Sequence, residues 1–118
     1  MITLGPLSIR ETREGGVHRL TPIGELDLAT APLLESAFDD VFRDEDAEMI
    51  VLDLTELSFI DSAGIHLLIR IHDACAGVDR LRVINGSRAV ERLLDLTGVG
   101  ARLPIISGDR DPLAALPR

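Results

Sequence analysis

The sequence predicts an α/β domain built on a mixed, mostly parallel sheet with an antiparallel hairpin at its N-terminal side. Short apolar runs alternate with amphipathic segments of helical period, and the first two runs are joined by little more than a glycine pair. Size and composition agree. The chain has 118 residues, 46% of them hydrophobic, enough for one domain with its own core and unlike a disordered segment.

Leu7-Ser8-Ile9-Arg10-Glu11 alternates as a half-exposed strand does. Gly15-Gly16 breaks the chain, and Val17 to Ile23 follows as the second arm of a hairpin. Pro22 lacks an N–H, which places this arm near an edge or at a bulge. Gly24-Glu25-Leu26-Asp27 ends the strand. Thr30-Ala31-Pro32 then opens a helix, with Thr30 as its cap. Leu34, Ala37, Phe38, Val41 and Phe42 form the inward stripe, while Glu35, Ser36, Asp39 and Asp40 face away.

The acidic stretch from Asp44 to Glu48 closes that helix and is read as a solvated loop with a possible part in partner recognition. Met49-Ile50-Val51-Leu52 is a continuous apolar run, which suits a central strand covered on both faces. Asp53 to Leu57 is a connection, with Asp53 bonding local backbone, and Ser58-Phe59-Ile60 approaches the next element. A helix from Asp61-Ser62 to about Ala76 is apolar on most sides. Its polar stripe is His66, Arg70 and Asp73. Leu81 to Ile84 is a strand, and Ser87 precedes a helix with Val90, Leu93 and Leu94 inward and Gly98 as terminator. Leu103-Pro104-Ile105-Ile106 is the last strand, and Asp111-Pro112 starts a short C-terminal helix. The order is β-β-α-β-α-β-α-β-α in one domain over residues 1–118. Its ordered core is expected over 5–108, with a helix or tail over 109–118.

Charge narrows the function classes. A net charge of −8 with 3% aromatic residues argues against nucleic acid and anionic membranes as direct ligands. One cysteine, Cys75, forms no internal disulfide. No signal-like or membrane-spanning run is present, so the protein is expected in the cytoplasm. All twelve basic residues are arginines, which excludes any mechanism that needs a lysine.

Ser62 stands just before an apolar helical run, where a serine commonly caps the helix. Asp61 already offers a cap next door, so capping alone does not require the serine. Ala63 and Gly64 have almost no side chain and leave the helix entrance open to a visitor. A phosphate on Ser62 would sit where backbone amides and the helix dipole favour negative charge.

The stretch Asp53-Leu54-Thr55-Glu56-Leu57-Ser58-Phe59-Ile60-Asp61-Ser62-Ala63-Gly64-Ile65 resembles the signature of STAS domains, and specifically of the anti-sigma factor antagonists. Gly24-Glu25-Leu26-Asp27 with Thr30-Ala31 resembles an earlier segment of that family, and Leu93-Leu94-Asp95-Leu96-Thr97-Gly98 a later one. The resemblance implies a partner-switching module. The unphosphorylated form binds an anti-sigma factor that is itself an ATP-dependent serine kinase, and so frees a sigma factor. The kinase phosphorylates Ser62 and the pair dissociates; a PP2C-type serine phosphatase restores the active form. The resemblance also implies that Asp27 lies near Ser62, shaping the docking surface or orienting the hydroxyl. The expected partner-binding set is Asp27, Thr30, Asp61, Ser62, Ala63, Gly64 and His66. Many family members carry a second serine where this chain has Ala63, which leaves Ser62 as the acceptor.

The alternative within binding modules is a STAS scaffold that holds its partner without phosphorylation control, as in a stress-signalling assembly. Catalysis is not expected. His18, His66, His72 and Cys75 show no metal-ligand spacing, and no Gly-x-Ser-x-Gly elbow activates Ser62. A phosphoaspartate receiver on Asp53 would need a lysine. No metal or cofactor is expected, and the free protein is expected to be a monomer.

Overall fold

The sheet is built around one strand that changes neighbours halfway along. In the computed structural model, which describes residues 1–106, the elements are β1 (Ile2–Leu4), β2 (Leu7–Glu14), β3 (Val17–Leu26), α1 (Ala31–Phe42), β4 (Met49–Asp53), β5 (Leu57–Ile60), α2 (Ser62–Ala74), β6 (Leu81–Ile84), α3 (Arg88–Leu96) and β7 (Ile105–Ile106). β2 pairs antiparallel with the long β3 from Glu14↔Val17 to Leu7↔Gly24, through a turn whose Gly15 and Gly16 both have positive φ. The other edge of β3 is shared. β4 runs parallel to it through Leu20, and β5 takes over from Gly24. The order is β1-β2-β3-β4-β6-β7, with β5 beside β3 and every pairing beyond the first two parallel.

The predicted α/β class and mixed, mostly parallel sheet are therefore present, but two strands were not predicted. β1 is three exposed residues turned back onto β2, too short to show a period. β5 combines Leu57, expected in a connection, with Ser58-Phe59-Ile60, expected only to approach the next element; its exposed Ser58 and Phe59 between buried Leu57 and Ile60 show no strand-like alternation. The pairing of β3 with β5 also shifts register between Gly24 and Glu25. Pro22 is not at an edge, since β3 is interior. It falls between the last β4 partner, Leu20, and the first β5 partner, Gly24, where β3 pairs with neither. Gly24 itself, at φ 107°, lies so close to Pro6 that an added Cβ would come within 2.1 Å of its carbonyl oxygen.

β4 is buried on both faces, as its sequence requires. Ile50 and Leu52 join the main core with Leu34, Phe38 and Val41 of α1 and Leu67, Leu68 and Ile71 of α2. Val51 faces the other way, into a smaller cluster with Val17 and Ile84. Four finer expectations are corrected. Leu93 is exposed, because Val90 and Leu94 alone turn α3 toward the core. α2 ends at Ala74 rather than Ala76. Thr30 occupies the cap position of α1, but its hydroxyl makes no cap bond there and is used elsewhere. The last strand shrinks to Ile105–Ile106, and the C-terminal helix expected from Asp111-Pro112 lies outside the described residues.

Arg80 closes the loop between α1 and β4. Its guanidinium donates to the carbonyls of Phe42 (3.2 Å), Asp44 (3.3 Å) and Ala47 (2.7 Å) and lies 5.1 Å from the centre of the Phe42 ring. A cation at the C-terminal end of a helix also complements its dipole. Arg80→Met keeps the stem but removes the donor to the Phe42 and Ala47 carbonyls, while the Asp44 carbonyl keeps its bond from the Ala47 amide. Unfolding in urea should show a loss of about 2–3 kcal/mol. Burial pushes the Cys75 thiol up, with Arg80 opposing. Because the folded chain favours the neutral thiol, this stabilisation is complete below the unfolded thiol's pKa of about 8.5 and is lost as pH rises through the folded value. The urea midpoint should therefore fall on the alkaline side, and Cys75→Ala should flatten that fall.

Candidate functional site

Ser62 is exposed at the first position of α2, and the cap before it is Asp61. β5 delivers the chain to this point: the Asp61 amide donates to the Leu26 carbonyl at 3.1 Å, which ties the helix entrance to the end of β3. One carboxylate oxygen of Asp61 then accepts from the Gly64 amide at 3.0 Å. The Ser62 hydroxyl has no hydrogen-bond partner among the described residues and is not needed to start the helix.

Gly64 faces inward rather than opening the entrance. A Cβ there would meet Ile60 Cγ1 at 2.7 Å, Leu26 Cγ at 2.9 Å and the Leu26 carbonyl oxygen at 3.0 Å. The first turn of α2 therefore lies directly on the ends of β3 and β5, with Ser62 turned outward. Ala63, half-buried, is the small residue that opens the surface.

The segment between β3 and α1 lies beside this entrance. Asp27 Oδ1 accepts from the amides of Ala29 (2.9 Å) and Thr30 (3.0 Å), an Asx-type turn. The Thr30 hydroxyl accepts from the Asp27 amide and donates to the Glu25 carbonyl, each at 2.9 Å. Thr30 is 1% exposed, so it shapes the loop and offers no contact to a partner. The second oxygen of Asp61 accepts from the Leu28 amide at 3.3 Å, joining the loop to the helix.

Between α1 and α2 lies a groove of about 260 Å³. Leu28, Ala31 and Pro32 form one wall, and Ala63, His66 and Arg70 the other. Glu35 closes it through an ion pair with Arg70 at 2.9 Å. His66 is thus exposed one turn along from Ser62, on the predicted polar stripe. Asp27, Asp61, Ser62, Ala63 and His66 come together at this end of the molecule. The acidic residues 44–48 do not. They precede β4, which starts opposite Val17, whereas Ser62 follows β5, which ends opposite Leu26. The length of β3 separates the two sites by about 30 Å.

The sequence did not single out Leu28 or Phe59, which are 77% and 46% exposed near the entrance. The only signal was an apolar residue inside the turn that follows β3, for Leu28, and one beside Ser58 in β5, for Phe59. Asp53 behaves as predicted, accepting from the Thr55 amide at 2.9 Å and from its hydroxyl at 2.6 Å. Among the described residues no group of His, Cys, Asp and Glu is arranged to hold a metal ion, and no helix is long and apolar enough to cross a membrane.

A strand thus leads into a helix capped by Asp61 whose first exposed residue is Ser62, with a fastened loop alongside. The STAS domain model matches residues 9–108, and the chain belongs to that family. It is similar to an anti-sigma F factor antagonist of Paenibacillus polymyxa, 28% identical with 93% of this chain and 95% of that one covered. Among solved structures it is similar to an anti-sigma factor antagonist from Mycobacterium paratuberculosis, with TM-score 0.82, 26% identity and 97% of both chains covered. The anti-sigma factor antagonist SpoIIAA in its unphosphorylated form shares the fold at TM-score 0.66 and 20% identity, covering 94% of this chain and all (100%) of that one.

Gly64→Ala tests the close approach. The clash with the Leu26 carbonyl should outweigh the roughly 1 kcal/mol that alanine gains in helix propensity. Urea unfolding should show a net loss of about 1–3 kcal/mol.

Proposed function

We propose that this protein is an anti-sigma factor antagonist that binds an anti-sigma factor with serine kinase activity and is switched off by phosphorylation at Ser62. The carrying observation is that Ser62 is exposed, with no hydrogen-bond partner for its hydroxyl among the described residues, at the first turn of α2 while Asp61 already caps the helix. The names of its relatives and their end-to-end coverage support the same reading. Phosphorylation forms a bond between Ser62 Oγ and the γ-phosphorus of ATP. The bond to ADP breaks, and the hydroxyl proton leaves to a base on the kinase. A PP2C-type phosphatase reverses the modification by hydrolysis.

The charge added is about −1.5 to −2 at neutral pH. The phosphate sits at the N-terminal end of α2, where the helix dipole favours negative charge, so it leaves the fold intact and acts on the partner. A like unit charge ~6 Å away on a docked surface is repelled by roughly 3 kcal/mol at an effective dielectric of 20. That corresponds to about a hundredfold in affinity. Asp27 and Thr30 serve the switch by building the loop beside Ser62, and Ala63 and His66 by lining the surface a partner covers.

Wild type, Ser62→Ala and Ser62→Glu, each immobilised in host lysate, decide between switch and scaffold. Ser62→Ala should retain a small ATP-binding serine kinase that Ser62→Glu loses by about a hundredfold, read by mass spectrometry. Equal capture by both variants would show a scaffold that holds its partner without phosphorylation control.

A further inference from the structure

Asp61 does two things at once. One carboxylate oxygen caps α2 through the Gly64 amide, and the other accepts from the Leu28 amide across the gap between the loop and the helix. The loop is fastened on its other side as well, by the Asp27 turn and the buried Thr30. Leu28 is thereby held 77% exposed at the mouth of the groove that Ala63 and His66 also line.

The geometry points to Asp61 as a positioning residue that presents Leu28, and to Leu28 as the apolar anchor for the kinase that reaches Ser62. This rests on the reading of Ser62 as the phosphate acceptor. The occupant follows from the chemistry of transfer. Phosphoryl transfer needs the γ-phosphorus within about 3–3.5 Å of Ser62 Oγ. A kinase that close must cover the groove mouth beside the helix entrance. Leu28, more exposed than Phe59, is the large apolar side chain at that groove mouth, and its backbone is already fixed by the Asp61 bond, so less backbone entropy is lost when a partner covers it.

The test uses the kinase recovered with Ser62→Ala and follows phosphorylation of Ser62 in steady state. Leu28→Ala should raise KM about tenfold and leave kcat within about twofold, as expected when ground-state and transition-state binding are lost together. Asn has one carbonyl oxygen where Asp61 uses two, so Asp61→Asn should raise KM to a similar extent. Because Asp61 acts through Leu28, the double variant should be no worse than Leu28→Ala alone. An unchanged KM in Leu28→Ala, or effects that multiply in the double variant, would overturn the proposal. A second measurement needs no partner. In Asp61→Asn the Leu28 amide should exchange its hydrogen about tenfold faster or more, while the Ile65 amide, bonded to the Asp61 carbonyl at 3.0 Å, keeps its rate. Equal Leu28 exchange in both proteins would refute the tie even if Ser62 is phosphorylated. Conversely, faster exchange in a protein whose Ser62 no kinase modifies would keep the tie and overturn both the acceptor reading and the anchor role.

Discussion

The contact between Gly64 and the strand ends is the constraint on which the rest of this molecule depends. Leu26 and Ile60 finish β3 and β5 side by side, and the first turn of α2 rests on both with no room for a Cβ. Close packing of this kind fixes the helix axis as well as its starting point. It also dictates which way the following residues face. With Gly64 and Ile65 buried, Ser62 is left outside, and Leu67, Leu68 and Ile71 continue the inward face into the main core.

β5 exists because β3 gives up β4. A strand of ten residues paired with one parallel neighbour throughout would leave no edge near Leu26 on which to seat the chain that leads into α2. Pro22 occupies the interval in which β3 pairs with neither neighbour, so its missing N–H costs no parallel pairing. The exposed serine is thus the end of a sequence of steps: a proline-marked change of partner, a short strand, an aspartate cap and a glycine contact.

Much of this was legible in the sequence because it follows from local chemistry. The hairpin turn, the doubly buried β4 and the amphipathic face of α1 each follow from a period or a turn residue. Asp61 and Ser62 were readable as a helix entrance for the same reason. What escaped depends on tertiary partners. β5 does not alternate because its register with β3 shifts, and β1 is too short to announce itself. The Thr30 hydroxyl turned to Glu25 rather than to the helix it precedes, a choice set by the Asp27 turn and not by residue type. Leu28 gave no signal because its backbone is tied to Asp61, thirty-three residues away in sequence.

The distance between the two ends of β3 gives the molecule a division of labour. The Debye length in physiological salt is about 8 Å, so the carboxylates of residues 44–48 are several screening lengths from Ser62. Charge placed at one end is electrostatically invisible at the other. The Gly15-Gly16 turn, next to Val17 at the remote end, is therefore a natural handle. A dye, a tether or a fused domain attached there would leave the docking face in its native field, and the protein could be held by its tail end while its working end stays free.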